Sequence, residues 1–484
     1  VKSRVFYQVF IRSFADSNGD GTGDLKGLIS KLDYLNSLGI TGIWLSPVHP
    51  SPSYHKYDVI DYYDIDKEYG TLDDFKLLVA EAHQRNILVL LDLVINHTSE
   101  FHPWFLEALK GKDSPYRSYY VWSDAIKLKD KSNWHFPKND SGKPVEKEMY
   151  YGFFWSGMPD LNFDSKELRI KLLEIAKYWL IDMGVDGFRL DAAQHIYGER
   201  KVKKNVAWWQ YFRHELNKIK PTVYLVGEVM NTSKVVANYL NDSLNACFNF
   251  DLAQQILLSV NSEKGNTLVP YLLKIRAKYA QQNENFEDAI FLSNHDQNRT
   301  FSVLENRLER AKLAASVLLT LPGTPFIYYG EELGMKGLKP DEHLREPFLW
   351  NKGLNDKAQT TWISNLYNNE HELEPLFEQQ KNNNSLYAVY KSLISLRNNT
   401  ACLNSGTIRK APFSHQAICS YFRETGHDSL LVIHNFRAKK IAINLFENEQ
   451  KYNRIIYESG TIIFKELSKI SISGFGTVIL SLEK

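Results

Sequence analysis

Gly184-Val-Asp-Gly-Phe-Arg-Leu-Asp191 is a short apolar run that ends in a carboxylate, and the ending recurs twice downstream. Val223-Tyr-Leu-Val-Gly-Glu228 and Ile290-Phe-Leu-Ser-Asn-His-Asp296 close in the same way. A buried strand that runs out in an acid delivers that acid to the carboxyl edge of a parallel sheet, where (β/α)8 barrels assemble their sites. Asp191, Glu228 and Asp296 converging on one pocket would be equipment for cleaving an acetal such as a glycosidic bond. Arg189 stands two residues before Asp191, so on a strand both point to one face. Its cation is expected to lower the pKa of Asp191.

The rest of the chain supplies the frame those endings need. Apolar runs at 4–10, 41–46, 87–94, 185–191, 222–228, 246–250, 289–294 and 325–330 alternate with helical patterns, as βαβ units require. The helical patterns are Leu25–Leu38, Leu72–Arg85, Leu168–Met183, Val206–Ile219, Leu268–Ala280, Leu308–Leu319 and Leu386–Leu396. In the third of these, Leu172, Ile175, Ala176, Trp179 and Leu180 fall on one helical face. Gly39 and Gly184 stand where a helix ends in a left-handed residue. The fold class is therefore α/β, an eight-stranded TIM barrel over 1–97 and 165–399. The interval 98–164 is too long for a structureless loop and reads as a small inserted domain after strand 3, walling one side of the cleft. From 400 to 484 short alternating runs such as Ser429-Leu-Leu-Val-Ile-His indicate an all-β sandwich domain, with Greek-key connections expected.

Charge is balanced, 58 Lys+Arg against 57 Asp+Glu, which argues against nucleic acid and anionic membrane as partners. Cys247, Cys402 and Cys419 are widely separated, have no metal-ligand spacing and are expected as buried thiols. No apolar stretch is long enough to span a bilayer. The chain opens at Val1 without an initiator Met or a signal peptide, which leaves room for a removed leader. A second chemical signal is Asp16-Ser-Asn18-Gly-Asp20-Gly-Thr22-Gly-Asp24. Oxygen-bearing residues at alternate positions with glycines between them suit a loop wrapped around Ca2+. Gly27 occupies the twelfth position, where an EF-hand has its bidentate Glu, so the loop has EF-hand-like ligand spacing only.

Four segments together resemble the signature regions of the α-amylase family, glycoside hydrolase family 13: Asp-Leu-Val-Ile-Asn-His (92–97), Gly-Phe-Arg-Leu-Asp-Ala-Ala-Gln-His (187–195), Gly-Glu-Val (227–229) and Phe-Leu-Ser-Asn-His-Asp (291–296). A fifth, Met-Pro-Asp-Leu-Asn (158–162), lies between the forms found in neopullulanase-like and oligo-1,6-glucosidase-like members. The resemblance implies that Asp191 is the nucleophile, Glu228 the acid/base and Asp296 a ligand of the sugar hydroxyls. It further implies that His97 and His295 bind the cleaved sugar unit, that Tyr57 lies beneath it, and that Arg345, paired with Asp341, anchors the same subsite. Asp58 and His55 are further candidate sugar contacts. The 16–24 loop also occurs in oligo-1,6-glucosidase-like relatives, where the fourth ligand is a backbone carbonyl, here that of Thr22. A second Ca2+ site of α-amylases would use Asn96, Asp160 and the His195 carbonyl. Gln194 replaces the Lys that many α-amylases carry before that His, leaving the subsites past the cleavage point open.

Ala192 after the nucleophile goes with α-1,4 specificity in such relatives. The function implied is retaining hydrolysis of internal α-1,4-glucosidic bonds in starch and maltodextrins. The alternatives are an exo-acting α-glucosidase or oligo-1,6-glucosidase-like enzyme, and a 4-α-glucanotransferase on short maltooligosaccharides. A monomer is expected, and export is favoured if the glucan is polymeric.

Overall fold

The computed structural model describes residues 4–138, 143–144, 147–352, 356–445, 448–466 and 468–482. Residues 1–3, at the head of the expected barrel segment, lie outside the described residues. The chain forms β1 (Phe6–Val9), β2 (Gly42–Leu45) and β3 (Leu88–Leu93) before an insertion that carries β4 (Trp122–Asp124), β5 (Trp134–His135) and β6 (Glu148–Tyr151). It continues through β7 (Gly187–Leu190), β8 (Tyr224–Gly227), β9 (Ala246–Phe248), β10 (Glu287–Ile290) and β11 (Thr324–Tyr328). Strands β1, β2, β3 and β7 to β11 close into one parallel barrel in chain order, with β11 returning to β1. All eight correspond to the apolar runs expected from the sequence.

The period of two along each strand layers the barrel interior. Phe6, Leu90, Val226, Phe248 and Phe326 belong to a buried apolar plug, with Phe6 stacked on Phe326 at 4.7 Å between ring centroids. Two residues further along, Phe6 gives way to Gln8, Leu90 to Asp92, Gly187 to Arg189 and Val226 to Glu228. The barrel interior is therefore sealed below and polar above, which gathers Asp92, Arg189 and Glu228 where their strands end.

Outside the barrel, Ser165 caps the helix Lys166–Ile181 by accepting from the Leu168 amide, and that helix buries Leu168, Leu172, Ile175, Ala176, Trp179 and Leu180. Gly39 ends its helix at φ 92°, as expected of a left-handed cap. Two expectations need correction. The helix 25–38 is two helices, Leu25–Ser30 and Leu32–Leu38, because the chain bends at Lys31. Gly27 passes so close to Ala15 that a Cβ would lie 2.0 Å from its carbonyl oxygen, which fixes the first helix against the preceding loop. The strand expected at 289–294 lies earlier, at Glu287–Ile290. Ile290 pairs with Pro325, which has no amide hydrogen for the ladder, so residues 291–294 leave the sheet.

Within the insertion, β4, β6 and β5 form one small antiparallel sheet in that spatial order. The carboxy-terminal part adds β12 (Thr407–Lys410), β13 (Ile418–Glu424), β14 (Ser429–Asn435), β15 (Ile441–Asn444), β16 (Tyr452–Ser459), β17 (Ile462–Glu466), β18 (Lys469–Ile472) and β19 (Thr477–Leu482). A five-stranded sheet, β12-β13-β14-β19-β16, and a three-stranded one, β15-β18-β17, share a core that includes Phe422, Leu431, Ile433, Ile443, Ile472 and Leu480. Arg423, on β13, joins this domain to the barrel, and Arg397, near the end of the helix Leu386–Asn399, lies beside it on the barrel side. Arg397 donates to the carbonyls of Leu319 and Leu321, and Arg423 to those of Thr320, Leu403 and Gly406. All three cysteines are buried and free. Among the described residues no helix is long and apolar enough to cross a membrane.

Gly187 opposes Tyr224 on the neighbouring strand, and a Cβ there would stand 1.9 Å from the Tyr224 carbonyl oxygen. Gly187→Ala should therefore cost about 1–3 kcal/mol, read as a lowered thermal midpoint. Gly426→Ala, with nothing within 4 Å of the added carbon, should leave the midpoint unchanged. Equal midpoints for the two variants would contradict the close strand contact.

Candidate active site

Asp191 and Glu228 each follow a barrel strand directly, after Leu190 and Gly227, so both enter the polar layer at its upper edge. Between them lies Arg189, which is 1% exposed. Its Nη1 donates to Asp92 Oδ1 at 3.0 Å and to Asp191 Oδ1 at 2.6 Å, and its Nη2 stands 3.0 Å from Glu228 Oε2. Glu228 Oε2 also accepts the Ala192 amide at 3.0 Å. Ala192 adopts φ 46°, a left-handed backbone unusual for a residue with a Cβ, and that conformation turns its amide toward Glu228. Asp92 collects three kinds of donor: the guanidinium, the Tyr57 hydroxyl at 3.0 Å and the Trp44 indole at 3.1 Å.

One cation serves three carboxylates, and this sets the electrostatics. Burial pushes Glu228 up to about 7 against the pull of Arg189, and pushes Asp92 up to about 7 in the same way. Burial also raises Asp191 above its ordinary value, again opposed by Arg189. The expectation that Arg189 would hold Asp191 low is thus overturned: the guanidinium does act in that direction, but burial outweighs a cation that is shared.

Asp296 reaches the same centre from a loop beyond β10, with its side chain 40% exposed. Burial acts against its charge, but His295, Arg345 and Arg189 together hold its carboxyl below the usual range. Arg345 Nη2 donates to Asp296 Oδ1 at 2.9 Å, its Nε to the His295 carbonyl at 3.0 Å and its Nη1 to the Tyr54 hydroxyl at 2.9 Å. Asp341 lies 3.5 Å from the same guanidinium, the longer of its two ion pairs. His295 is driven down to about 3 by burial and is neutral. The Gln8 amide at 2.8 Å from Nδ1 acts as donor, so Nε2 carries the proton, facing the Tyr57 hydroxyl at 2.5 Å and Asp296 Oδ2 at 3.2 Å. The Tyr57 and His295 rings stack at 5.3 Å and 5°. Tyr57, His295, Arg345 and Arg189 are thus brought together around the three acids.

Other sequence candidates have different partners. His97 Nε2 donates to the Tyr57 carbonyl at 3.0 Å, which fixes the loop under Tyr57, and burial lowers its pKa to about 4. Asp58 accepts from the hydroxyls of Ser51 and Ser53, while His55 contacts Ser53 and the Tyr57 amide. The insertion supplies Phe153, stacked on the His195 ring at 4.2 Å, and Phe154, edge-on to His97 at 5.2 Å. Phe154 and Trp155 remain 48% and 50% exposed on this rim. Gln8, Trp44, Asp92 and Tyr54 were given no role from sequence. A single polar or indole residue in an apolar strand, as in Phe-Tyr-Gln-Val (6–9), was the available signal for the first three.

Among the described residues no three His, Cys, Asp or Glu side chains cluster as a metal site. The 16–24 loop is braced by its own oxygens. Asp16 accepts the amides of Asn18, Gly19 and Gly21, Asn18 accepts that of Asp20, and Asp20 that of Thr22. Carboxylate oxygens keep a second lone pair, so this all-oxygen set fits a hard cation. Asp24 fits least well, since its oxygens accept from Ser17 and from the Gly27 amide at the helix start. At the second location Asn96 Oδ1 is buried without a partner, and burial pushes Asp160 up to about 7. Those two oxygens fit a cation. The His195 carbonyl already accepts from Gly198 at 2.7 Å.

Comparison with known proteins agrees with this geometry. Residues 8–406 match the family model for the α-amylase catalytic domain, and 418–479 match that for the SusG C-terminal domain. Alpha-amylase 3 of Dictyoglomus thermophilum is 44% identical over 481 residues, 99% of this chain and 93% of that protein. A 4-alpha-glucanotransferase of Thermotoga neapolitana is 36% identical over 89% of this chain and 95% of its own length. A crystal structure of an α-amylase from H. orenii superposes with a TM-score of 0.90 at 41% identity, covering both chains completely. A matched catalytic domain and relatives along the whole length, on a barrel whose strands lead into clustered acids, place this chain in the α-amylase family of glycoside hydrolases, family 13.

Proposed function

We propose that the chain is an α-amylase-type retaining hydrolase that cleaves internal α-1,4-glucosidic bonds of starch and maltodextrins. The observation that carries this reading is the bridging of Asp191 and Glu228 by one guanidinium. Two carboxylates on neighbouring nitrogens suit the ~5–5.5 Å spacing of a double displacement better than the ~6.5–9.5 Å of an inverting pair. With one cation for three acids, the site keeps a proton at neutral pH. Asp92 is surrounded by donors and Asp191 has the shorter cation contact, so Glu228 holds the proton.

Asp191 then attacks the anomeric carbon as the glycosidic C–O bond breaks, and Glu228 passes its proton to the leaving oxygen. In the second half Glu228, now ionised, takes a proton from water, whose oxygen displaces Asp191 and restores both groups. Asp296, half-buried and ionised, accepts sugar hydroxyls and favours the cationic ring of the transition state. The exposed Phe154 and Trp155 offer ring faces beyond the centre, which supports internal cleavage. Transfer of the same intermediate to another sugar is the second reading, supported by the glucanotransferase relative. We further propose that Ca2+ is held by Asp16, Asn18, Asp20, the Thr22 carbonyl and Asp24, bracing the loop before the first barrel helix, and that a second ion uses Asn96 and Asp160.

A blocked chromogenic maltooligosaccharide should yield mixed maltose and maltotriose; glucose alone from maltoheptaose, with the blocked substrate untouched, would overturn internal cleavage, and products longer than the substrate would favour transfer. For Glu228, a carboxyl raised from 4.5 to about 7 on folding holds more protons folded than unfolded between those values. Its contribution to stability is complete below about 4.5 and is lost as pH rises through about 7. Glu228→Gln should therefore abolish hydrolysis yet raise the thermal midpoint, more at pH 8 than at pH 4.5; the opposite pH trend would contradict the raised pKa. Chelator should lower the midpoint of the wild type and Ca2+ restore it, whereas elemental analysis finding no bound ion would count against both metal assignments.

A further inference from the structure

The Tyr57 hydroxyl stands between Asp92 and His295 at the catalytic centre, and the residue before it is a buried lysine in an unusual backbone. Lys56 is 3% exposed and adopts φ 66°, a left-handed conformation that a residue with a Cβ ordinarily avoids. Glycine would adopt it without strain. A lysine there costs both backbone strain and the desolvation of its charge, so specific partners must hold it in place.

Those partners are two carboxylates. Lys56 Nζ stands 2.7 Å from Asp66 Oδ2 and 2.7 Å from Glu68 Oε2, with the Ser51 carbonyl at 3.5 Å and the Tyr69 ring centroid at 5.6 Å. Asp66 is fixed in turn by the backbone: its Oδ2 accepts the Ser51 amide at 3.2 Å and its Oδ1 the Glu68 amide at 3.0 Å. Glu68 also pairs with the buried Arg12. Burial acts against the Glu68 charge, but Lys56 and Arg12 hold its carboxyl below the usual range. Two cations meet two acids, so the cluster is neutral as a whole.

The consequence falls on the next residue. The Lys56 amide donates to Ser53 Oγ at 3.1 Å, the Tyr57 carbonyl accepts from His97, and the Tyr57 hydroxyl reaches Asp92 Oδ2 at 3.0 Å. We propose that Lys56 is a positioning residue for the glucan cleavage proposed above: its ammonium, locked between Asp66 and Glu68, holds the left-handed turn that presents the Tyr57 hydroxyl to Asp92 and His295. Lys56 acts through Tyr57, so its effect on the reaction exists only while that hydroxyl is present.

A double-mutant cycle of Lys56→Met with Tyr57→Phe decides this, with kcat and KM measured on a blocked chromogenic maltooligosaccharide well below every thermal midpoint. Lys56→Met keeps the length of the side chain and removes its charge. With Tyr57 intact it should lower kcat/KM by about 10- to 100-fold, the scale of a small misplacement at a reacting centre, mainly through kcat. In the Tyr57→Phe background the further loss should stay within about 2-fold. Equal losses in both backgrounds, or full activity in folded Lys56→Met, would overturn the positioning role and leave the hydrolase reading intact. If Lys56→Met fails to fold, Glu68→Gln takes its place, because the Glu68 side chain is 39% exposed. Its loss should be about 3- to 10-fold, the equivalent of one weakened bond, and again confined to the Tyr57 background. Failure of both variants to fold would make the cluster a determinant of the fold and overturn the positioning role as well. A wild type inactive on every α-glucan would overturn the hydrolase reading and this role with it.

Discussion

Arg189 is the constraint on which the upper half of the barrel depends. It is buried at the point where Asp92, Asp191 and Glu228 meet, and each carboxylate reaches a terminal nitrogen of its guanidinium. A buried ion cluster of this kind adds little net stability, because desolvation offsets most of the attraction. What it provides is position and unequal proton affinity. Three acids that share one cation cannot all ionise easily, so their differing partners decide which one keeps a proton. The left-handed Ala192 belongs to the same device. Its strained backbone is tolerated because its amide braces Glu228.

The layered barrel makes this cluster possible. Below it, rings such as Phe6, Trp44, Phe248 and Phe326 fill the interior and exclude water. Above it, the loops after β10 and β11 bring Asp296 and Arg345 together at the centre, with the stacked His295 and Tyr57 rings beside them. Burial keeps His295 neutral, which leaves Gln8 to fix the ring by bonding Nδ1. The result is a continuous chain of contacts from Asp296 through His295 and Tyr57 to Asp92 and Arg189. A sugar unit placed there meets groups whose orientations are already set, the condition for electrostatic stabilisation without reorganisation.

Much of this was legible because strand direction and period fix where a side chain goes. Asp191 and Glu228 could be placed from the apolar runs that precede them, and the eight runs in series implied closure. Asp296 was harder, because Pro325 in the adjacent strand shortens β10 and leaves the acid on a loop. The pKa of Asp191 was misread since sequence shows its neighbour Arg189 but neither the burial that outweighs that cation nor the Asp296 charge that faces it. His97 shows a different limit: its partner is the Tyr57 carbonyl, and backbone acceptors leave no mark in a residue pattern. The break at Lys31 likewise has no glycine or proline at the bend to announce it.

The buried arginines make the same point from the opposite direction. Arg189, among carboxylates, is held well above its ordinary pKa despite burial. Arg397 and Arg423 sit at the junction of barrel and carboxy-terminal domain, and burial pushes them down to about 9 and about 10. They face carbonyls left over at the end of the helix Leu308–Thr320 and in the turns beside it. That junction needs several donors in a rigid fork, and an arginine satisfies the carbonyls whether or not an anion is near. Among the three acids the donors matter less than the charge, because a fixed cation keeps them within reach of one another. The same side chain therefore joins domains in one place and sorts protons in the other, and the difference lies wholly in what its surroundings offer.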